Sequence, residues 1–177
     1  MTTAAPGLQT FHDGWANYQH LLLTVLRDLD SEQLALRPGP GAWTIWQLAS
    51  HVAGARSYWL HDVLGEGDDA VREMFRVEHT TVPGLAIEDA GWEDDEDHAR
   101  SAAEIVRALE ATWDLVSGCL GRWTPEDLRV EASRRRRDRV ETFTREWVVW
   151  HLIEHDLHHG GEISLILGSN GLPAPDL

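Results

Sequence analysis

The chain has 177 residues, 42% of them hydrophobic, and nine tryptophans, enough apolar content for a single globular domain over 1–177. Thirty acidic against 15 basic residues give a formal charge of −15, which opposes both the phosphate neutralisation of nucleic-acid binding and adsorption to anionic lipid, so neither nucleic acid nor a membrane is an expected partner. Cys119 is the only cysteine, which excludes an intrachain disulfide, and Met1 to Gly7 lack the basic-then-apolar pattern of a secretory leader, so the expected location is cytoplasmic.

From Trp15 the apolar residues Tyr18, Leu21, Leu22, Val25, Leu26 and Leu29 recur at intervals of three and four, predicting an amphipathic first helix over roughly 11–30. The cluster Arg37-Pro-Gly-Pro-Gly41 cannot continue it. A second helix is expected to open at Thr44, an N-cap residue with Gln47 three positions on, and to fade at Gly65. Residues 66–97 are acidic and turn-rich and read as a long connection holding one short helix. The run Glu93-Asp-Asp-Glu-Asp97 lacks the alternating ligands and central glycine of a calcium loop and reads as a solvated face.

A third helix carries Ala102, Ile105, Val106, Leu109, Trp113, Val116 and Leu120 on one stripe, which also takes in Cys119 as an inert buried thiol. After Thr124-Pro125, the segments Arg129-Val-Glu-Ala and Arg139-Val-Glu-Thr-Phe pattern as a small hairpin around the arginines. The basic run Arg134 to Arg137 reads as a solvated loop or turn rather than an anion-binding patch, and no role is assigned to it. The fourth helix starts at Thr144 or Arg145 and runs to about Leu167, with apolar residues in every direction, as in a helix buried among others. Four such helices with little strand content predict an all-α four-helix bundle, whose crossover between helices two and three is long enough to let those two run parallel.

The fourth helix holds the most informative stretch, Trp147-Val-Val-Trp-His151-Leu-Ile-Glu-His155-Asp-Leu-His158-His159-Gly-Gly-Glu162. Histidine is the commonest metal ligand, and two of them one helical turn apart can approach one ion. At about 100° per residue, with His151 at 0°, His155 falls near 40°, His158 near −20°, His159 near 80° and Glu162 near 20°, all on one face. Geometry therefore permits His151/His155 or His155/His159 as the i, i+4 pair. His151-Leu-Ile-Glu154-His155 matches the H-x-x-E-H zinc-protease pattern, but five-residue matches arise easily in a His-rich helix and the chain ends soon after. His51, beside Leu48 and Val52 with small Gly54 and Ala55 nearby, is the candidate third ligand from another helix. His12, His20, His61, His79 and His98 read as ordinary surface residues.

Two stretches, Trp43-Thr-Ile-Trp-Gln-Leu-Ala-Ser-His51-Val and Trp150-His-Leu-Ile-Glu-His155-Asp-Leu-His-His159-Gly-Gly-Glu-Ile163, resemble the DinB-like superfamily of damage-inducible and YfiT-like metal-dependent proteins. The resemblance implies an up-down-down-up bundle in which His51, His155 and His159 hold a divalent ion, usually zinc or nickel. His151, His158 and Glu162 would then support the ligands or line the pocket. The family often has Arg-Gly-Gln after the last ligand, whereas this chain has Gly160-Gly-Glu162. Three protein ligands leave a coordination position open, as in a catalytic site, where water or a low-molecular-weight thiol is activated at neutral pH. Some relatives are transferases or isomerases using mycothiol or bacillithiol.

The expected activity is therefore a metal-dependent hydrolase or thiol transferase acting on a small-molecule substrate, with catalytic residues beyond the ligands unassigned. The alternative is a non-catalytic metal-binding stress-response or interaction module, closed by a fourth ligand such as His158 or Glu162. The tryptophans also permit a homodimer, because aromatic residues concentrate at interfaces.

Overall fold

The computed structural model describes residues 8–136 and 138–175. Met1 to Gly7, read above for a leader, and Arg137 of the basic run lie outside the described residues. The chain is mostly helical, with one two-stranded sheet. Four long helices, α1 (Gln9–Leu26), α3 (Ile45–Ser57), α5 (Ala102–Arg122) and α6 (Arg145–Ser169), correspond to the four predicted ones. Two short helices, α2 (Ser31–Leu34) and α4 (Asp69–Glu73), lie between them.

Local chemistry sets most of these boundaries. The first helix stops at Leu26, short of the expected Asp30, because Asp30 and Gln33 form a reciprocal capping box that starts α2 instead. Thr44 and Gln47 form the same box at the start of α3, as their spacing predicts, and Ser101 with Glu104 repeats it on α5. The second predicted helix is not α-helical throughout. After Ser57 it widens into a π turn over Tyr58–Val63 that seats Trp59 and Leu60 in the core, and it ends at Gly65, whose φ of 68° suits a residue without a Cβ.

The predicted hairpin is present as β1 (Glu131–Arg136) and β2 (Arg139–Thr144), antiparallel with Glu131 opposite Thr144. Arg134 is thus a strand residue rather than part of a solvated loop. Its guanidinium lies 4.3 Å from the centre of the Trp59 ring and pairs with Glu141 at 2.9 Å, because the alternation of β1 turns this side chain inward over an aromatic surface.

Helix α3 packs against both α5 and α6, and α1 packs against α5. Two apolar clusters form the core. One gathers Leu22, Leu26, Ile45, Val52, Leu109 and Ile163, and the other Trp15, Trp59, Leu120, Trp123, Val148 and Leu152. At the level between them a buried polar network ties all four long helices together. Arg56 of α3 donates to Asp156 of α6 at 2.6 Å and to Gln19 of α1 at 2.8 Å, Trp15 donates to Asp156 at 2.6 Å, and Gln19 donates to the Leu109 carbonyl of α5 at 3.0 Å.

Helix α6 differs from its prediction in burial. Trp147, Trp150, Leu157 and Leu165 are exposed, so its apolar residues cover the core side and also one outward side that none of the described residues covers. Among the described residues no helix is long and apolar enough to cross a membrane.

Candidate metal centre

Helices α3 and α6 lie against each other, and three imidazoles meet at their contact. His51 projects from α3, and His155 and His159 project from one face of α6, one turn apart. The His51 and His155 Nε2 atoms are 3.0 Å apart, and each of the three residues offers a ring nitrogen within 4.8 Å of the other two. Of the two i, i+4 pairs that helical geometry permits, the structure brings His155/His159 to His51. His151 instead stacks on Trp147, with ring centres 4.9 Å apart, and meets Trp59 edge-on. His158 is exposed and outside the trio.

Two carboxylates orient two of the three rings. His51 Nδ1 lies 2.7 Å from Glu93 Oε1, and His159 Nδ1 lies 2.7 Å from Glu162 Oε2. A proton held on each Nδ1 by its carboxylate leaves the Nε2 lone pair free, the carboxylate–histidine arrangement that fixes tautomer and ring orientation at metal sites. His155 Nδ1 is buried without a hydrogen-bond partner among the described residues. Burial, followed by the neighbouring His51 and His159, pushes the His155 pKa down to about 3, so this ring is neutral, the form that donates a lone pair. Burial also lowers His159, against the opposing pull of Glu162.

Glu93 was not foreseen. It belongs to the acidic run read as a solvated face, yet Glu93 is largely covered and Asp95 is buried. The reason is Gln47, whose side-chain amide donates to the Glu93 carbonyl at 2.9 Å while its Oε1 completes the cap of α3. One residue thereby starts the ligand helix and pins the loop that supports its histidine. The only trace in the sequence was the capping pattern itself, because the partners are 46 positions apart.

Trp43 closes one side of the site, with its ring centre 4.7 Å from that of His51. Gly54, small and close to His51 in the sequence, faces Phe75 of the crossover. Gly160, just after His159, is buried where a Cβ would fall on the Tyr18 hydroxyl, so the place of a side chain there is taken by Tyr18 of α1.

The remaining histidines are less uniform than their surface reading. His20 is exposed, whereas His12 is half-buried against Trp113 and lies 3.0 Å from the Ser117 hydroxyl. His61 sits between Asp62 and Asp69, and its pKa is raised first by the hydrogen bond to Asp62. His79 and His98 both contact Asp95. Cys119 is buried, and desolvation pushes its thiol up to about 11, which leaves it unreactive.

The donor set fits a divalent ion. Two nitrogens each about 2.0–2.1 Å from one ion lie about 2.8–3.0 Å apart at octahedral angles and about 3.3–3.4 Å apart at tetrahedral ones, and the His51–His155 separation of 3.0 Å falls at the octahedral end of that span.

Comparison with known proteins agrees with this architecture. The chain is similar in fold to a DinB-like protein from Bacillus cereus ATCC 10987, at 19% identity and a TM-score of 0.63, covering 100% of this chain and 99% of that one. It is also similar to a conserved protein from Enterococcus faecalis, at 15% identity and a TM-score of 0.67, covering 93% and 99% respectively. No protein with a curated description matches it in sequence. The sequence profile of the DinB superfamily matches residues 15–163, a span that holds all of α3 and α5, most of α1 and α6, and all three clustered histidines, and the chain belongs to that superfamily.

Proposed function

We propose that this protein is a divalent-metal-dependent enzyme in which His51, His155 and His159 hold zinc or nickel through their Nε2 atoms. The observation that carries the reading is the convergence of the three imidazoles, two of them held at Nδ1 by Glu93 and Glu162. When bound, such an ion supplies a Lewis acid that lowers the pKa of water or of a low-molecular-weight thiol into the neutral range. Glu93 and Glu162 keep a proton on each Nδ1, and Trp43 shields one side from solvent. Hydrolysis or thiol transfer on a small-molecule substrate follows from that chemistry. The same reading takes α1, α3, α5 and α6 as an up-down-down-up four-helix bundle, supported by the Arg56–Asp156 network that joins them.

A non-catalytic binding module would call for closed coordination. Among the described residues the group comprises three side chains, and His158, 68% exposed, lies beside Glu162 rather than within it, which supports an open position. Zinc or nickel at a hundredfold excess over its dissociation constant should stabilise the protein by about 2.7 kcal/mol. The expected result is a rise in melting temperature for the wild type that is clearly smaller in a folded His159→Ala variant. Purified protein with no divalent metal by elemental analysis, and no thermal shift on adding either ion, would refute the reading.

A further inference from the structure

A second convergence of donors lies on the crossover between α3 and α5. His79 Nε2 is 3.0 Å from Asp95 Oδ1, and His98 Nδ1 is 3.1 Å from the same oxygen. The three donor atoms all lie within 4.8 Å of one another. Asp97 adds a carboxylate oxygen 3.3 Å from His79 Nε2 on the exposed side. None of these residues belongs to the trio on α3 and α6.

We propose that His79, Asp95 and His98, with Asp97 as the outer donor, form a second divalent-cation site that clips the crossover. Two imidazoles and two carboxylates are a donor set suited to zinc and to neighbouring transition ions. The central ligand is buried, with Asp95 only 3% exposed in its side chain, and so is held in place rather than free to swing into solvent. Arg100 contacts Asp95 at Oδ2, 3.3 Å away, and is itself held 4.8 Å from the centre of the Trp92 ring. Both imidazoles reach the other oxygen, Oδ1, and His98 Nδ1 spans the carboxylate, 3.1 Å from each of its oxygens.

The backbone brackets the donors independently of their side chains. The Thr81 N–H and hydroxyl each reach the Asp94 carbonyl at 2.8 Å, and the His98 N–H donates to the Asp95 carbonyl at 3.1 Å. The segment from His79 to His98 is thus already folded around the position an ion would take, which reduces the ordering that binding would require. Tying His79 to Asp95 closes a loop whose conformational freedom otherwise opposes folding. Asp95 is two residues beyond Glu93, so the clip would also steady the segment that orients His51.

Metal-free full-length protein titrated with zinc, with bound metal counted after dialysis, tests the site. A His51→Ala/His159→Ala variant, with its fold checked by circular dichroism, is expected to retain one equivalent, and adding His79→Ala/His98→Ala should abolish it. Both added substitutions fall on solvent-accessible side chains and should leave the fold intact. In the otherwise wild-type chain, His79→Ala/His98→Ala should lower the count by one. No zinc on the folded His51→Ala/His159→Ala variant, or an unchanged count for His79→Ala/His98→Ala in the wild-type background, overturns the second site. A wild-type count of one that only His79→Ala/His98→Ala removes would uphold it while removing the first site.

Discussion

His155 is the most constrained of the three clustered imidazoles, with its Nδ1 buried and unpartnered and its Nε2 against His51. Its folded pKa of about 3 lies below the ordinary value of 6.5, so between those limits the unfolded chain takes up a proton that the folded one refuses. The stability associated with this neutral ring is complete above pH 6.5 and is lost as pH falls toward 3. Burial of His159 acts in the same direction. In metal-free protein, urea midpoints should therefore fall more steeply on acidification for the wild type than for His155→Gln, and equal slopes would count against the assignment. Glu93 acts on the proposed ion through His51, from the opposite side of the imidazole ring. Because carboxylates behind ligating histidines typically contribute 10–100-fold to affinity, Glu93→Ala should weaken zinc binding by about that factor while leaving the helices intact, as measured by competitive titration.

At the scale of elements, α6 does two jobs with adjacent residues. His155 and His159 face the site, while Asp156 turns into the core and meets Arg56, both side chains being fully buried. Removing one partner of such a pair leaves the other charge uncompensated, a loss of about 3–5 kcal/mol. Asp156→Ala should therefore lower the unfolding free energy in urea by about that amount, and a loss below 1 kcal/mol would show that Arg56 finds other partners. This network was not visible in the sequence. Arg56 and Asp156 are 100 positions apart and each looks like an ordinary surface charge, whereas the capping boxes at Thr44 and Ser101 were legible because both partners lie within one turn. The π turn after Ser57 escaped for a related reason: its wider spacing serves the tertiary seats of Trp59 and Leu60 rather than any local preference.

At the scale of the whole molecule, the outward side of α6 exposes Trp150 and Leu157, and with Phe11 of α1 and Ile153 the latter lines an apolar hollow. Contiguous exposed apolar surface marks an interaction site more often than an accident of composition. We propose that a second copy of the chain covers it. Light scattering at micromolar concentration and moderate salt, which screens the charge of −15, should report a dimer that Trp150→Glu converts to monomer. A monomeric wild type would retire the proposal.

The sequence by itself determined the four long helices, the hairpin, and the two stretches that carry the histidines, because periodicity, caps and turn residues act over a few positions. Helical spacing left both His151 and His159 open beside His155 and the family resemblance implied His159; the tertiary structure places His159 by His51, and it alone brought Glu93 to His51 and gathered His79 and His98 on Asp95. Those outcomes depend on how α3, α6 and the crossover pack. Helical spacing places four imidazoles on one face of α6, but only the direction from which α3 approaches selects two of them.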